Sequence, residues 1–354
     1  MSSKTDAIRA SIPQLFELCN DVLDAGLVPF IGGDPAIGKS ALARKIAESR
    51  NLELIDIRLL TLDLTDLTGL PFQWEEDGKV KAGFLPMDLF PLESWEVPEG
   101  KDGWLILWDE ITSASKMLEA AAYKVILDRM IGQYKLHPQV HQMAAGNLIT
   151  SGAVASRAGT AMQSRMINFE AYVCYEGWAE HAIEADFDER VRAYINWKPQ
   201  ALHSFSVEQA TKHANFGSPR TWEFMSQLCK VWGSEIPGSK LPAINGAIGP
   251  EARNFLSFCQ LHKSLPTYET ILERPKQVTF ANEPGVEYAV VEMITGRFQR
   301  ADLGPIMEFI PALSVDLQAI LLRGMLKKDI TIKQEPSIKE WIRLHGKKLQ
   351  RKRT

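Results

Sequence analysis

The stretch GGDPAIGKS (residues 32–40) lies between an apolar run, LVPFI (27–31), and a helix-forming run, ALARKIAESR (41–50). Its spacing is G-x-x-x-x-G-K-S, with Gly33, Gly38, Lys39 and Ser40 at the fixed positions. Glycine lets the backbone bend so that successive N–H groups face one point, and the helix that follows adds its partly positive N-terminal end. In this pattern the lysine reaches the β- and γ-phosphates and the serine hydroxyl meets Mg²⁺. A strand before the loop and a helix after it form the context this reading requires. Gly33, Asp34, Pro35, Ala36, Ile37, Gly38, Lys39, Ser40 and Ala41 are therefore the candidate nucleotide-binding residues, with ATP and Mg²⁺ as the expected ligands.

Further along, WLILW (104–108) reads as a buried strand that ends at Asp109 and Glu110. Ligands of open α/β sheets bind at the carboxyl ends of the strands, so Asp109 is placed to hold Mg²⁺ together with Ser40, and Glu110 to orient and polarise an attacking water. Alone, an acidic pair at a strand end would be a helix cap; the phosphate loop upstream favours the catalytic reading. HQMAAGN (141–147) is a further strand candidate. Its terminal Asn147 offers a neutral amide that could bond the γ-phosphate or the water, although an asparagine after a strand is also a common turn residue.

Around these motifs the chain alternates. Apolar positions Ile12, Leu15, Phe16, Leu18, Cys19, Val22 and Leu23 recur at helical spacing before Gly26. LELIDIRLL (52–60) and MINFEAYV (166–173) read as strands, and SASKMLEAAAYKVILDRM (113–130) as a helix. Asp77-Gly78 signals a hairpin turn. Alternating strands and helices predict a three-layer α/β domain of the P-loop NTPase class with a parallel sheet. From Glu176 onward the pattern becomes mostly helical, broken by Gly/Pro-bearing loops. The expected organisation is an α/β core over 1–175 with a β-hairpin insert near 72–83, an α-helical lid over 176–274, and a C-terminal helical segment over 275–354 with a basic tail.

Composition narrows the class. The 354 residues, 45% hydrophobic, suffice for a real core, and a net charge of −4 does not suggest an overall nucleic-acid or membrane-surface binder. The terminal KKLQRKRT (347–354) is a basic exception: it reads as a solvated end, or as a contact for nucleic acid or an acidic partner. Cys19, Cys174, Cys229 and Cys259 are far apart and form no CxxC pair, which suggests neither a disulfide framework nor a zinc site and fits a reducing cytoplasm. The N-terminal run lacks the apolar core of a secretion signal, and no apolar run approaches a membrane span, so the expectation is a cytoplasmic protein with no membrane partner. His137 and His141 are four apart, but Pro138 between them argues against a helical metal pair.

Taken in order, these residues resemble the AAA+ ATPases. LDLTDLTGLPF (62–72), the hairpin QWEEDGKVKAGFLP (73–86) and the stretch from Asp109 to Asn147 look like the MoxR-type branch, the helix-2-insert clade. GSPR (217–220) is similar to that branch's second sensor. The resemblance is specific over the first 225 residues and vague after about Pro275. It implies ATP hydrolysis, a homo-oligomeric ring of six subunits, and remodelling or activation of a client protein; ATPases of that branch often work with a protein that bears a von Willebrand factor A domain. It further implies that Arg165 reaches the neighbouring subunit's nucleotide, with Arg157 as the alternative, and that Arg220 binds phosphate from the lid. Two departures stand out: Ala36 where relatives commonly carry Gly, and the bulky Trp108 beside the expected metal site. A nucleic-acid motor or loader of the same superfamily is the competing reading; the acidic balance and the lack of a recognisable DNA-binding motif weigh against it.

Overall fold

The computed structural model describes residues 8–147, 165–206, 208, 215–261, 266–278 and 284–350. Its contacts divide the chain into two compact units, one of residues 1–177 with 205–213 and the other of 178–204 with 214–354.

The first unit is built on six parallel strands: β1 (Arg9–Ser11), β2 (Pro29–Gly33), β3 (Glu53–Arg58), β6 (Trp104–Asp109), β9 (Val140–Asn147) and β10 (Ile167–Tyr172). They lie in the order β1-β10-β2-β9-β6-β3, which puts β2, the strand feeding the phosphate loop, between β10 and β9. Two hairpins stand apart from this sheet, β4 (Leu70–Glu76) with β5 (Lys79–Leu85), and β7 (Met130–Ile131) with β8 (Tyr134–Lys135). Among the described residues the helices of the unit include α1 (Ile12–Asp24), α2 (Lys39–Ser49), α3 (Leu64–Thr68) and α4 (Lys116–Asp128).

Alternation along the strands distributes side chains to two cores. Leu105 and Leu107, with Ile31, Met143 and Ala145, pack against Leu15, Cys19 and Leu23 of α1 and Leu42, Ala43 and Ile46 of α2. Trp104, Ile106 and Trp108, with Phe30, Val140 and Ala144, pack on the other face against Ala122, Val125 and Ile126 of α4. Successive strand residues point to opposite faces, so β2 and β6 read as near-continuous apolar runs because both faces are covered. Full burial of a large apolar side chain contributes about 1.5–3 kcal/mol. This is a P-loop NTPase-type α/β fold: a parallel sheet sandwiched by helices.

Local chemistry fixes the ends. Ser11 caps α1 and exchanges hydrogen bonds with Gln14 in a capping box, with Pro13 in the first turn. Gly26, at φ +70°, ends that helix. Asp77 and Gly78, at φ +54° and +70°, form the tight turn between β4 and β5 that the dipeptide predicted. Trp74 packs locally there, stacked on Phe72 at 5.1 Å between centroids.

The second unit is helical among the described residues: α5 (Tyr175–Glu184), which runs across the division, α6 (Glu189–Trp197), α7 (Pro219–Trp232), α8 (Leu241–Ile248), α9 (Ala252–Leu261), α10 (Tyr268–Glu273), α11 (Pro284–Arg297), α12 (Leu303–Phe309), α13 (Val315–Lys328) and α14 (Pro336–Gln350). One core of this unit joins Ile271, Val290, Ile294, Ile306, Phe309, Leu321 and Ile338. Arg190 is buried and held by the Asp188 carboxylate and the carbonyls of Gly233 and Cys229. No helix among the described residues is long and apolar enough to cross a membrane.

Candidate active site

The loop after β2 turns through two left-handed residues, Ala36 at φ +62° and Gly38 at φ +105°, before α2 begins at Lys39. A Cβ on Gly33 would lie 2.6 Å from Ile37 Cδ1, so the loop folds tightly over its own first glycine. Lys39 is 8% exposed. Its Nζ donates to the carbonyls of Gly33 (3.0 Å) and Asp34 (2.8 Å) and to Asn147 Oδ1 (3.1 Å). These bonds hold a nearly buried ammonium at the loop beside the N-terminus of α2, a placement that suits an anionic ligand.

The second half of the site follows from strand parity. Asp109 and Asn147 occupy the positions that alternate with Trp108 and Gly146, so both face the layer containing α2. Asp109 Oδ2 accepts a 2.7 Å hydrogen bond from Ser40 Oγ. A hydroxyl and a carboxylate side by side are a donor set that suits Mg²⁺, which takes oxygen ligands from one or two carboxylates plus phosphate. Trp108 points the other way: it is fully buried, its ring lies 5.8 Å from that of Phe90, and its indole N–H donates to Gln142 Oε1 (3.0 Å). The expectation of a bulky indole beside the metal site is therefore corrected, because alternation sends Trp108 into the opposite core.

Glu110 sits directly beyond the strand with φ +56°, a left-handed conformation that a non-glycine residue adopts at a cost, and its N–H donates to Asp109 Oδ1 (2.9 Å). The kink lifts Glu110 out of the strand alternation at the end where the loop lies. Beyond it, Thr112 is buried and its Oγ1 both accepts from the Asn147 N–H (3.1 Å) and donates to the Asn147 carbonyl (3.1 Å). Hydrogen bonds thus pair Lys39 with Asn147 and its sequence neighbour Ser40 with Asp109, and Glu110 adjoins Asp109.

Two residues near this cluster escaped the sequence reading. Asp56 on β3 has its carboxyl pushed up by partial burial and by the Asp109 charge, against the opposing pull of Arg58 and Arg44. An acid interrupting the apolar run LELIDI was the available signal. Thr112 carried none, since a threonine after a strand is unremarkable until the fold brings it to Asn147.

The arginines are placed differently. Arg165 is exposed in the first unit, on a groove of about 520 Å³ that it shares with Tyr123, Lys124, Leu127 and Asp128. Arg220 is exposed in the second unit, in the first turn of α7, whose N-terminus is capped by Ser218. Arg157 lies outside the described residues, as do residues 351–354 of the basic tail.

No protein-family model matches the chain, and no curated protein is similar to it in sequence. Among solved structures, the chain is similar to a point mutant of RuvB from Thermotoga maritima, at 14% identity over 96% of this chain and 92% of that one, with a TM-score of 0.34. It is also similar to the Thermotoga maritima RuvB Holliday junction branch migration motor, at 14% identity over 95% and 87%, TM-score 0.33. A proposed ATPase of Cytophaga hutchinsonii matches at 11% identity over 88% and 81%, TM-score 0.35. Likeness at this level carries no functional conclusion; the site's own geometry has to supply it.

Proposed function

We propose that the chain is an ATP-binding and ATP-hydrolysing AAA+ protein of the MoxR type, working as an oligomeric ring that remodels or activates a partner protein. The observation that carries the reading is the bonded cluster at the sheet's carboxyl edge, in which Lys39 meets Asn147 and Ser40 meets Asp109 around one glycine-bearing loop. When bound, Mg²⁺ would supply positive charge against the negative charge that develops on the phosphate. Ser40 and Asp109 would hold that ion, and the loop 33–38 with Lys39 would hold the phosphates. Glu110 would take up a proton from the attacking water at its carboxylate, and Asn147 would orient the same water or the terminal phosphate. Arg165, exposed on its groove, would act on the nucleotide of an adjacent subunit, and Arg220 would report phosphate loss through the helical unit. The β4–β5 hairpin, with Val80 and Phe84 exposed, would contact the client or line the ring.

The test is steady-state ATP turnover of the full chain across a concentration series, beside Glu110→Gln and Arg165→Ala. The proposal expects turnover per chain to rise with concentration, Glu110→Gln to bind ATP yet lose at least about a hundredfold in kcat, and Arg165→Ala to flatten the concentration dependence. Equal turnover per chain at all concentrations would remove the trans-acting arginine. Wild-type turnover by Glu110→Gln would remove the assignment of Glu110.

A further inference from the structure

Strand β9 is longer than its neighbour. The β6–β9 ladder ends at the pair Trp108↔Ala144, while on the other side β2 still pairs with β9 as far as Gly33↔Asn147. The chain leaves the sheet after Asp109 through the left-handed Glu110, so among the described residues no strand continues on that side to take the last backbone groups of β9. The Thr112 hydroxyl takes them instead, accepting from the Asn147 N–H and donating to the Asn147 carbonyl. One side chain thereby supplies the two hydrogen bonds that a continuing β6 strand would have made.

The contact is close-packed as well as bonded. A Cβ on Gly146 would fall 2.7 Å from both Cγ2 and Oγ1 of Thr112, so the threonine seats against bare backbone. Thr112 also lies in the single tight turn that starts at Glu110, closed by the Ser113 N–H donating to the Glu110 carbonyl (2.9 Å). The turn therefore ties Glu110 to Thr112, and Thr112 ties the turn to Asn147, whose Oδ1 receives Lys39.

We infer that Thr112 is a positioning residue for ATP hydrolysis: its hydroxyl sets the spacing between Glu110 and Asn147, on which the reaction assigned above depends. It touches neither nucleotide nor metal, and the inference rests on the function proposed in the preceding subsection. Loss of the hydroxyl leaves the Asn147 backbone without these two bonds and lets the strand end shift relative to Glu110. Misplacement of a group near the chemistry on the ångström scale costs about ten- to a hundredfold in rate. Phosphate affinity, set by the loop 33–38 and Lys39, is retained.

The experiment compares Thr112→Val, which keeps the shape and loses the hydroxyl, with Thr112→Ser, which keeps the hydroxyl, in the full chain. ATP turnover and the Kd for a fluorescent ATP analogue are both measured. Thr112→Val should lose at least about tenfold in kcat with Kd within about twofold of wild type, and Thr112→Ser should stay within about threefold in kcat. Wild-type kcat in Thr112→Val, or a Kd weakened as much as kcat, overturns the inference; the second result would mark Thr112 as merely structural. If Thr112→Val does not fold, Thr112→Ser decides alone: near-normal turnover supports the role, and a tenfold loss with the hydroxyl present overturns it. A wild-type chain with no ATP turnover overturns the proposed function and this inference together, whereas an active wild type matched by Thr112→Val overturns this inference only.

Discussion

Ala36 stands in the phosphate loop where glycine is the easier residue, and its backbone shows the consequence: φ is +62°. An L-residue in the left-handed region costs about 1–2 kcal/mol. Replacing it with glycine removes that cost but gives back about 0.4–1 kcal/mol of unfolded-chain entropy. Ala36→Gly should therefore stabilise the first unit by a net of about 0.5–1 kcal/mol. Gly38→Ala makes the opposite exchange. No heavy atom lies within 4 Å of a Cβ built on Gly38, so the added methyl meets nothing; the cost comes from holding φ at +105°. That position is further from the allowed left-handed well, and a penalty of about 1–3 kcal/mol outweighs the entropy gain. Two swaps of the same two residue types, two positions apart, should thus change stability with opposite sign. Amide hydrogen exchange of peptides from β2, β6 and β9 in the full chain reads the difference. For amides that exchange through unfolding of the unit, Ala36→Gly should slow exchange about two- to fivefold, following RT ln of the rate ratio, and Gly38→Ala should speed it. Faster exchange in Ala36→Gly, or slower exchange in Gly38→Ala, would refute the account of loop strain.

The buried amide of Gln142 bonds Trp108 through Oε1 and the Ile126 carbonyl through Nε2 (3.2 Å), so Gln142→Leu should cost about 2–4 kcal/mol in chemical denaturation by leaving two buried polar groups without these partners. The His141 imidazole is held below its ordinary pKa by burial first and then by the charges of Arg50 and Arg129, with Asp24 opposing. The unfolded chain therefore binds this proton more readily than the folded one. The stability His141 contributes is present above its unfolded pKa of about 6.5 and is lost as pH falls through the lower folded value. Denaturation midpoints at pH 7.5 and 5.5 should fall less in His141→Gln than in wild type; an equal fall in both would exclude His141 as a source of the acid sensitivity.

Much of the first unit was legible because its central strands β2, β6 and β9 are buried on both faces. PFIGG and WLILW are short apolar runs followed by an aspartate, VHQMAAGN is apolar from Met143 to Gly146 before Asn147, and such a run between helical patterns has few other places to go than the middle of a parallel sheet. The edge strand β1, three residues beginning with an exposed arginine, shows no such run, and it escaped notice for that reason. The hairpin partners β7 and β8 were equally silent, since two-residue strands carry no periodicity. Motif spacing singled out Lys39, Ser40, Asp109, Glu110 and Asn147, because the role proposed for each restricts the residue type. Supporting residues have looser requirements: Thr112 needs only a hydroxyl at the right distance, and Gln142 only an amide that can bridge an indole and a carbonyl.

Trp108 shows where a linear reading goes astray and how the fold repairs it. Adjacent in sequence to Asp109, it looked like an obstacle at the metal site, yet a strand places neighbours on opposite faces. The same alternation that turns Asp109 toward Ser40 turns the indole toward Phe90 and Gln142, where its N–H is bonded. The bulk is then an asset to the site. A fully buried tryptophan locks the end of β6 against α4 and β9, and the kinked backbone of Glu110 needs a fixed strand end from which to depart. Fixing that end from both faces, through Trp108 on one side and the Asp109–Ser40 bond on the other, leaves the position of Glu110 to one left-handed residue and the turn that Thr112 anchors.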